Sequence, residues 1–86
     1  MNCRAMITVL YFASIRELAG VGEETIELGS GLRSVGELRE FLERRHPAMR
    51  GKLGRVRFSR NEEFAEDETE IADGDEIALI PPVAGG

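Results

Sequence analysis

The chain has 86 residues, a net charge of −5 and 42% hydrophobic residues, the composition of one ordinary globular domain. A chain this short buries only about 60% of the surface its unfolded form exposes, which leaves one core and argues against a self-contained enzyme with a deep cleft. The acidic balance speaks against nucleic acid as a partner. No apolar run reaches the length of a membrane span, and the N-terminus lacks a signal-peptide core, so a cytoplasmic protein is expected.

Met6-Ile7-Thr8-Val9-Leu10-Tyr11-Phe12 is rich in β-branched and aromatic residues and reads as a strand that is apolar on both faces. With Ile7, Val9 and Tyr11 turned to the core, Leu10 and Phe12 point the other way. Ser14 to Leu18 follows as a short helical or turn segment. Glu23-Glu24-Thr25-Ile26-Glu27-Leu28 alternates as a second strand. The best-marked element is a helix. Ser34 and Glu37 form a capping box, Val35, Leu38, Phe41 and Leu42 share one face, and Arg39, Glu40, Glu43 and Arg44 share the other. Pro47 stops the helix after His46.

Arg55 to Arg60 alternates as a third strand with Val56 and Phe58 inward, and Asn61-Glu62-Glu63 makes a tight turn. Phe64 opens a short fourth strand. Asp73-Gly74-Asp75 is a turn before the last strand, Glu76 to Ile80, which is again apolar on both faces. Two such strands at the ends of the chain belong side by side in the middle of a sheet, and parallel. The expected fold is therefore α+β: a β-grasp, as in ubiquitin-like proteins, with a mixed sheet of four to five strands and one main helix packed on one face. Residues 1–80 form this single domain and residues 81–86 an extended tail.

Side-chain chemistry is sparse. Cys3 is the single cysteine, so an internal disulfide is ruled out. His46 is the single histidine, expected to face solvent at the helix end. One histidine and one cysteine far apart make no metal cage, and no metal site is expected. Asp73-Gly74-Asp75 lacks the remaining ligands of a calcium loop, and the glycines at 20, 22, 29 and 31 make no dinucleotide fingerprint. Arg39 through Arg60 holds eight of the eleven basic residues, and Asn61 through Glu76 nine of the sixteen acidic ones. These are two solvated faces, or one is a partner-steering patch.

The tail carries the function. Pro81-Pro82 cannot continue a central strand and favours an extended conformation, after which Val83-Ala84-Gly85-Gly86 leaves the domain. Six extended residues span roughly 20 Å, enough to enter another protein's active site. Two terminal glycines remove side-chain bulk, as a narrow channel demands. An ordinary frayed terminus also ends in small residues, but the stiff lead-in and the β-grasp pattern favour a working tail. A C-terminal carboxylate, with a pKa near about 3.5, is ionised and unreactive at neutral pH. Conversion to an acyl-adenylate with ATP would make such a carbonyl electrophilic, and a sulfur donor could then replace AMP to leave a thiocarboxylate.

The stretch Leu10-Tyr11-Phe12-Ala13-Ser14-Ile15-Arg16-Glu17, the run Asp73-Gly74-Asp75-Glu76-Ile77-Ala78 and the ending Pro81-Pro82-Val83-Ala84-Gly85-Gly86 resemble the small, sulfur-carrying subunits of molybdopterin synthase, within the MoaD/ThiS family of ubiquitin-like proteins. The resemblance implies a role in molybdenum cofactor biosynthesis. Gly86 would be adenylated by an E1-like adenylyltransferase that uses ATP, converted to a thiocarboxylate, and inserted into the large synthase subunit to donate sulfur to cyclic pyranopterin monophosphate. The family works as a heterotetramer of two small and two large subunits. By resemblance Gly86 is the sulfur acceptor, and Gly85, Ala84, Val83, Pro82 and Pro81 form the inserted tail. Phe12 and Ile80 match apolar interface positions. The small subunit is then no enzyme on its own and holds no bound cofactor. Two departures stand out: Arg60, where the family commonly has an apolar residue before Asn61, and the basic, glycine-containing stretch Arg50 to Arg55. A sulfur carrier for a thiamine, cysteine or tungsten-cofactor route, or a ubiquitin-like protein modifier, would share the same tail.

Overall fold

The computed structural model describes residues 4–29 and 31–82. Among the described residues, five strands make one mixed sheet in the order β2-β1-β5-β3-β4. They are β1 (Met6–Tyr11), β2 (Glu23–Glu27), β3 (Arg57–Arg60), β4 (Glu63–Ala65) and β5 (Glu76–Ile80). The helices are α1 (Ala13–Ala19) and α2 (Val35–Arg45), followed by a 3-10 turn at Pro47–Met49. The first and last strands lie side by side and parallel, with Val9 beside Ile77 and Tyr11 beside Leu79. All other pairings are antiparallel. This is the expected β-grasp, with β5 at its centre.

Strand alternation builds the core. Ile7, Val9, Tyr11, Ile26, Phe58, Ile77 and Leu79 turn to one face and are buried there with Val35, Leu38 and Leu42 of α2. Ser34 caps α2 by accepting from the Glu37 amide at 3.3 Å, and the Glu37 carboxylate returns to the Arg33 amide at 2.8 Å. The helix stops where Pro47 follows His46, and Met49 and Leu53 beyond it are fully buried. Sequence periodicity gave no sign of those two, because they sit in a turn rather than in a regular element.

Several boundaries move for physical reasons. β1 ends at Tyr11 rather than Phe12 because Ala13 takes a left-handed φ of 51° and the Phe12 carbonyl accepts from the Ile15 and Arg16 amides, opening α1. β3 starts at Arg57, since the Val56 amide is used by a turn to the Leu53 carbonyl at 3.2 Å. The β3–β4 hairpin turns on Asn61 and Glu62, both at positive φ, as a two-residue primed turn requires. Asp73-Gly74-Asp75 is a turn as expected, with Gly74 at φ +87°. Asp73 accepts from the Met6 amide at 2.8 Å, and the Gly74 amide donates to the Met6 carbonyl at 2.8 Å. The turn thereby aligns the start of β5 with the start of β1.

Two side chains occupy places the sequence did not indicate. His46 was expected in solvent but is mostly buried against the sheet. Register explains it: Glu24 pairs with Val9, so its carboxylate lies on the core face at the sheet edge, under the end of α2. Arg39, expected on the solvent face of α2, lies over the Phe58 ring at 4.7 Å, with its guanidinium donating to the Leu53 carbonyl and to Asp67. Its stem covers apolar surface while its head reaches polar partners.

Candidate functional site

β5 carries the chain out of the sheet. Ile77 and Leu79 are held in the core, so Ala78 and Ile80 point to the opposite, helix-free face. β1 contributes Leu10 there, paired with Ala78, and β3 and β4 contribute Ser59 and Phe64, paired with each other. Phe12, just past β1, adds its ring at 47% exposure, and Phe64 lies 67% exposed. Together these residues line a shallow depression of about 330 Å³. Phe12, Phe64 and Val21 are the large hydrophobic side chains left in the open among the described residues, and two of the three lie on this one face.

Phe12 and Ile80 therefore come together on the helix-free face, as expected from alternation. Pro81 is half-buried and Pro82 exposed at the exit of β5. Val83, Ala84, Gly85 and Gly86 lie outside the described residues. Sequence reading placed Phe64 only at the start of a strand and missed its part in the apolar face. The signal was there: a two-residue hairpin turn at Asn61-Glu62 fixes its register opposite Ser59.

The turn at Asn61 joins this face to a second polar centre. Asp75 is buried and accepts from Arg60 Nε at 2.7 Å, Asn61 Nδ2 at 3.1 Å and the Ala72 amide at 2.8 Å. Burial pushes its carboxyl upward, but hydrogen bonds from Arg60, Ala72 and Asn61 outweigh that and hold it below the usual carboxylate range. Asn61 Oδ1 also accepts from the Glu76 amide at 2.9 Å, tying the β3–β4 turn to the head of β5. Arg60, which pairs with Ile77 and so lies on the core side of the sheet, thus has a structural partner that accounts for a cation at the end of β3.

On the core side, Glu24 gathers Tyr11, His46 and Arg45. The Tyr11 hydroxyl and His46 Nε2 both donate to Glu24 Oε1, the latter at 2.6 Å, and Arg45 Nε donates to Oε2 at 3.1 Å. Burial raises the Glu24 carboxyl, but these donors outweigh it and bring it below its ordinary value. Burial first, and then the Glu24 carboxylate, push the Tyr11 phenol well above its own. The cluster faces the side of the sheet away from the apolar patch and serves the fold. Among the described residues, no group of three or more His, Cys, Asp or Glu side chains could hold a metal ion. No helix there is long and apolar enough to cross a membrane.

Comparison with known proteins places this geometry. The model of the ThiS family matches residues 9–86. The molybdopterin synthase sulfur carrier subunit of Chlamydomonas reinhardtii is 43% identical over 82 residues, covering 93% of this chain and 98% of the relative. A putative molybdopterin converting factor subunit 1 from Pyrococcus furiosus superposes with a TM-score of 0.82 at 34% identity, over 92% of this chain and 99% of that one. The complex of subunits 1 and 2 of the molybdopterin-converting factor from Helicobacter pylori contains a chain that superposes with a TM-score of 0.64 at 29% identity, over 94% of this chain and 99% of that one.

Proposed function

The chain belongs to the ThiS family, and from that premise we propose that it is the sulfur carrier subunit of a molybdopterin synthase. The observation that carries this reading is the junction of Ile80 with Pro81-Pro82. There the central strand delivers the tail beside an exposed apolar face built on Leu10, Phe12 and Phe64. A partner docked on that face receives the tail directly, and the relative solved with its subunit 2 supplies the precedent for such a partner.

In this mechanism the domain is a handle and Gly86 is the reacting group. An E1-like enzyme activates the Gly86 carboxylate with ATP, releasing pyrophosphate and forming the acyl-adenylate. A sulfur donor displaces AMP and leaves a terminal thiocarboxylate. The large subunit then holds the tail in its active site, where the thiocarboxylate passes its sulfur to cyclic pyranopterin monophosphate, and water restores the carboxylate. Gly85 and Gly86 keep the end of the tail free of bulk, and Pro81-Pro82 limits the entropy lost when it is threaded. The chain contributes no catalytic side chain and binds no cofactor of its own, and the reaction belongs to the assembled complex in the cytoplasm.

Intact-mass spectrometry tests the reading. The protein is incubated with an E1-like enzyme, ATP and a sulfur donor, then with the large subunit and the pyranopterin. One oxygen-to-sulfur exchange at Gly86, reversed as molybdopterin appears, is the expected result. An exchange that persists with pyranopterin present would assign the sulfur to another acceptor. Isopeptide adducts without any exchange would make the chain a protein modifier.

A further inference from the structure

The basic run of the chain divides in two when its partners are traced. Arg39, Arg45 and Arg60 are spent on Asp67, Glu24 and Asp75. Arg44, Arg50, Lys52, Arg55 and Arg57 are exposed, and none meets a carboxylate within ion-pair distance among the described residues. Lys52 and Arg55 line a groove of about 740 Å³ between α1 and the 51–56 loop, and Pro81 and Pro82 line it too. Leu18, Val56 and the two prolines give it apolar walls, and Glu17 is the single acid in its lining. On a chain of net charge −5, this is a local patch of the opposite sign.

We propose that this groove is a second docking surface, which takes an acidic, extended segment of the large synthase subunit as that subunit draws in the tail. The inference rests on the carrier reading above and adds to it a site that positions the tail's root. Continuity is the first argument. The groove meets the apolar face at two points, where Phe12 leads into Ser14 and where Ile80 leads into Pro81. A partner seated on Phe12 and Ile80 therefore already lies over the groove mouth. Charge is the second: two unpaired cations beside a short apolar wall suit carboxylates flanking an apolar side chain, and they add orientation to a contact that the flat apolar face leaves loosely defined.

Gly54 supplies the third argument. Its φ lies outside the left-handed region, and a Cβ built on it would meet nothing within 4 Å. The fold therefore does not require glycine there. The absence of a side chain serves the groove, since it lets another backbone approach this wall closely.

Calorimetric titration of the large subunit with the full-length chain tests the proposal, using K52E/R55E and Gly54→Leu, with a Gly85–Gly86 deletion as control. At low ionic strength the charge reversal should weaken binding at least about tenfold and flatten its salt dependence, since like charges then face each other across the contact. Gly54→Leu should weaken binding while leaving the melting temperature unchanged or slightly raised. Unchanged affinity in both variants would overturn the proposal. So would loss of the difference between wild type and K52E/R55E in the presence of pyrophosphate alone, which would make the groove a small-anion site. If the control loses sulfur transfer while K52E/R55E binds normally, the groove falls and the carrier reading stands; if the wild-type chain fails to bind the large subunit at all, both fall.

Discussion

Tyr11 and His46 meet on a single oxygen atom, Oε1 of Glu24, with their rings edge to face at 5.8 Å. One carboxylate on the edge strand thus fastens β1 to the end of α2. Glu24→Ala would leave the Tyr11 hydroxyl without its acceptor in a largely buried place. A loss of about 1–3 kcal/mol in unfolding free energy is expected, measured by urea denaturation. Tyr11→Phe removes donor and hydroxyl together and should cost less, about 0.5–1.5 kcal/mol.

Two separate carboxylates, Glu24 in this cluster and Asp75 beneath the β3–β4 turn, set an acid limit. Glu24 and Asp75 both titrate below their ordinary values in the folded protein. A depressed carboxyl stabilises the fold above its unfolded pKa and loses that contribution as pH falls through the folded pKa. Stability should therefore hold down to about pH 4.5 and then fall, as followed by thermal melts across pH. Asp75→Asn should remove part of that dependence. Tyr11 runs the other way: its raised phenol contributes fully below about pH 10 and loses the contribution as the pH rises beyond.

Removing Gly86 should abolish sulfur transfer and leave the melting temperature where it was, because the described core draws on nothing beyond β5. Sulfur transfer is followed by molybdopterin formation, and folding by circular dichroism. Transfer retained by the shortened chain would place the reacting group elsewhere.

Phe12→Arg should weaken binding of the large subunit by about 2–4 kcal/mol, since it sets an unpaired charge in a desolvated contact. Phe12 is 47% exposed in the free chain and no buried core residue, so the variant should fold normally. Calorimetry that returned the wild-type affinity would move the contact away from the helix-free face.

Much of this architecture was legible because it is periodic. The two-faced apolar pattern of residues 6–11 and 76–80 gave their central, parallel placement, and Ser34 with Glu37 gave the start of α2. Alternation also put Phe12 and Ile80 on the face away from the core. What stayed hidden depended on contacts between residues far apart in the chain. His46 looks like a helix-end residue until the β1–β2 register brings Glu24 beneath it. Arg60 looks like a misplaced cation until the turn before β5 presents Asp75. Met49 and Leu53 obey no repeat and are core only because the chain loops back under α2.

The place of β5 in the strand order also has a mechanical meaning. It is flanked by β1 on one side and β3 on the other, so its backbone ladder runs along both edges. A pull on residues beyond Ile80, directed along the strand, loads those hydrogen bonds together in shear and cannot peel them away one at a time. The strand resists such tension far better than an edge strand such as β4 would. Tension applied beyond Ile80 is therefore met by the whole width of the sheet, and the domain keeps its fold under it.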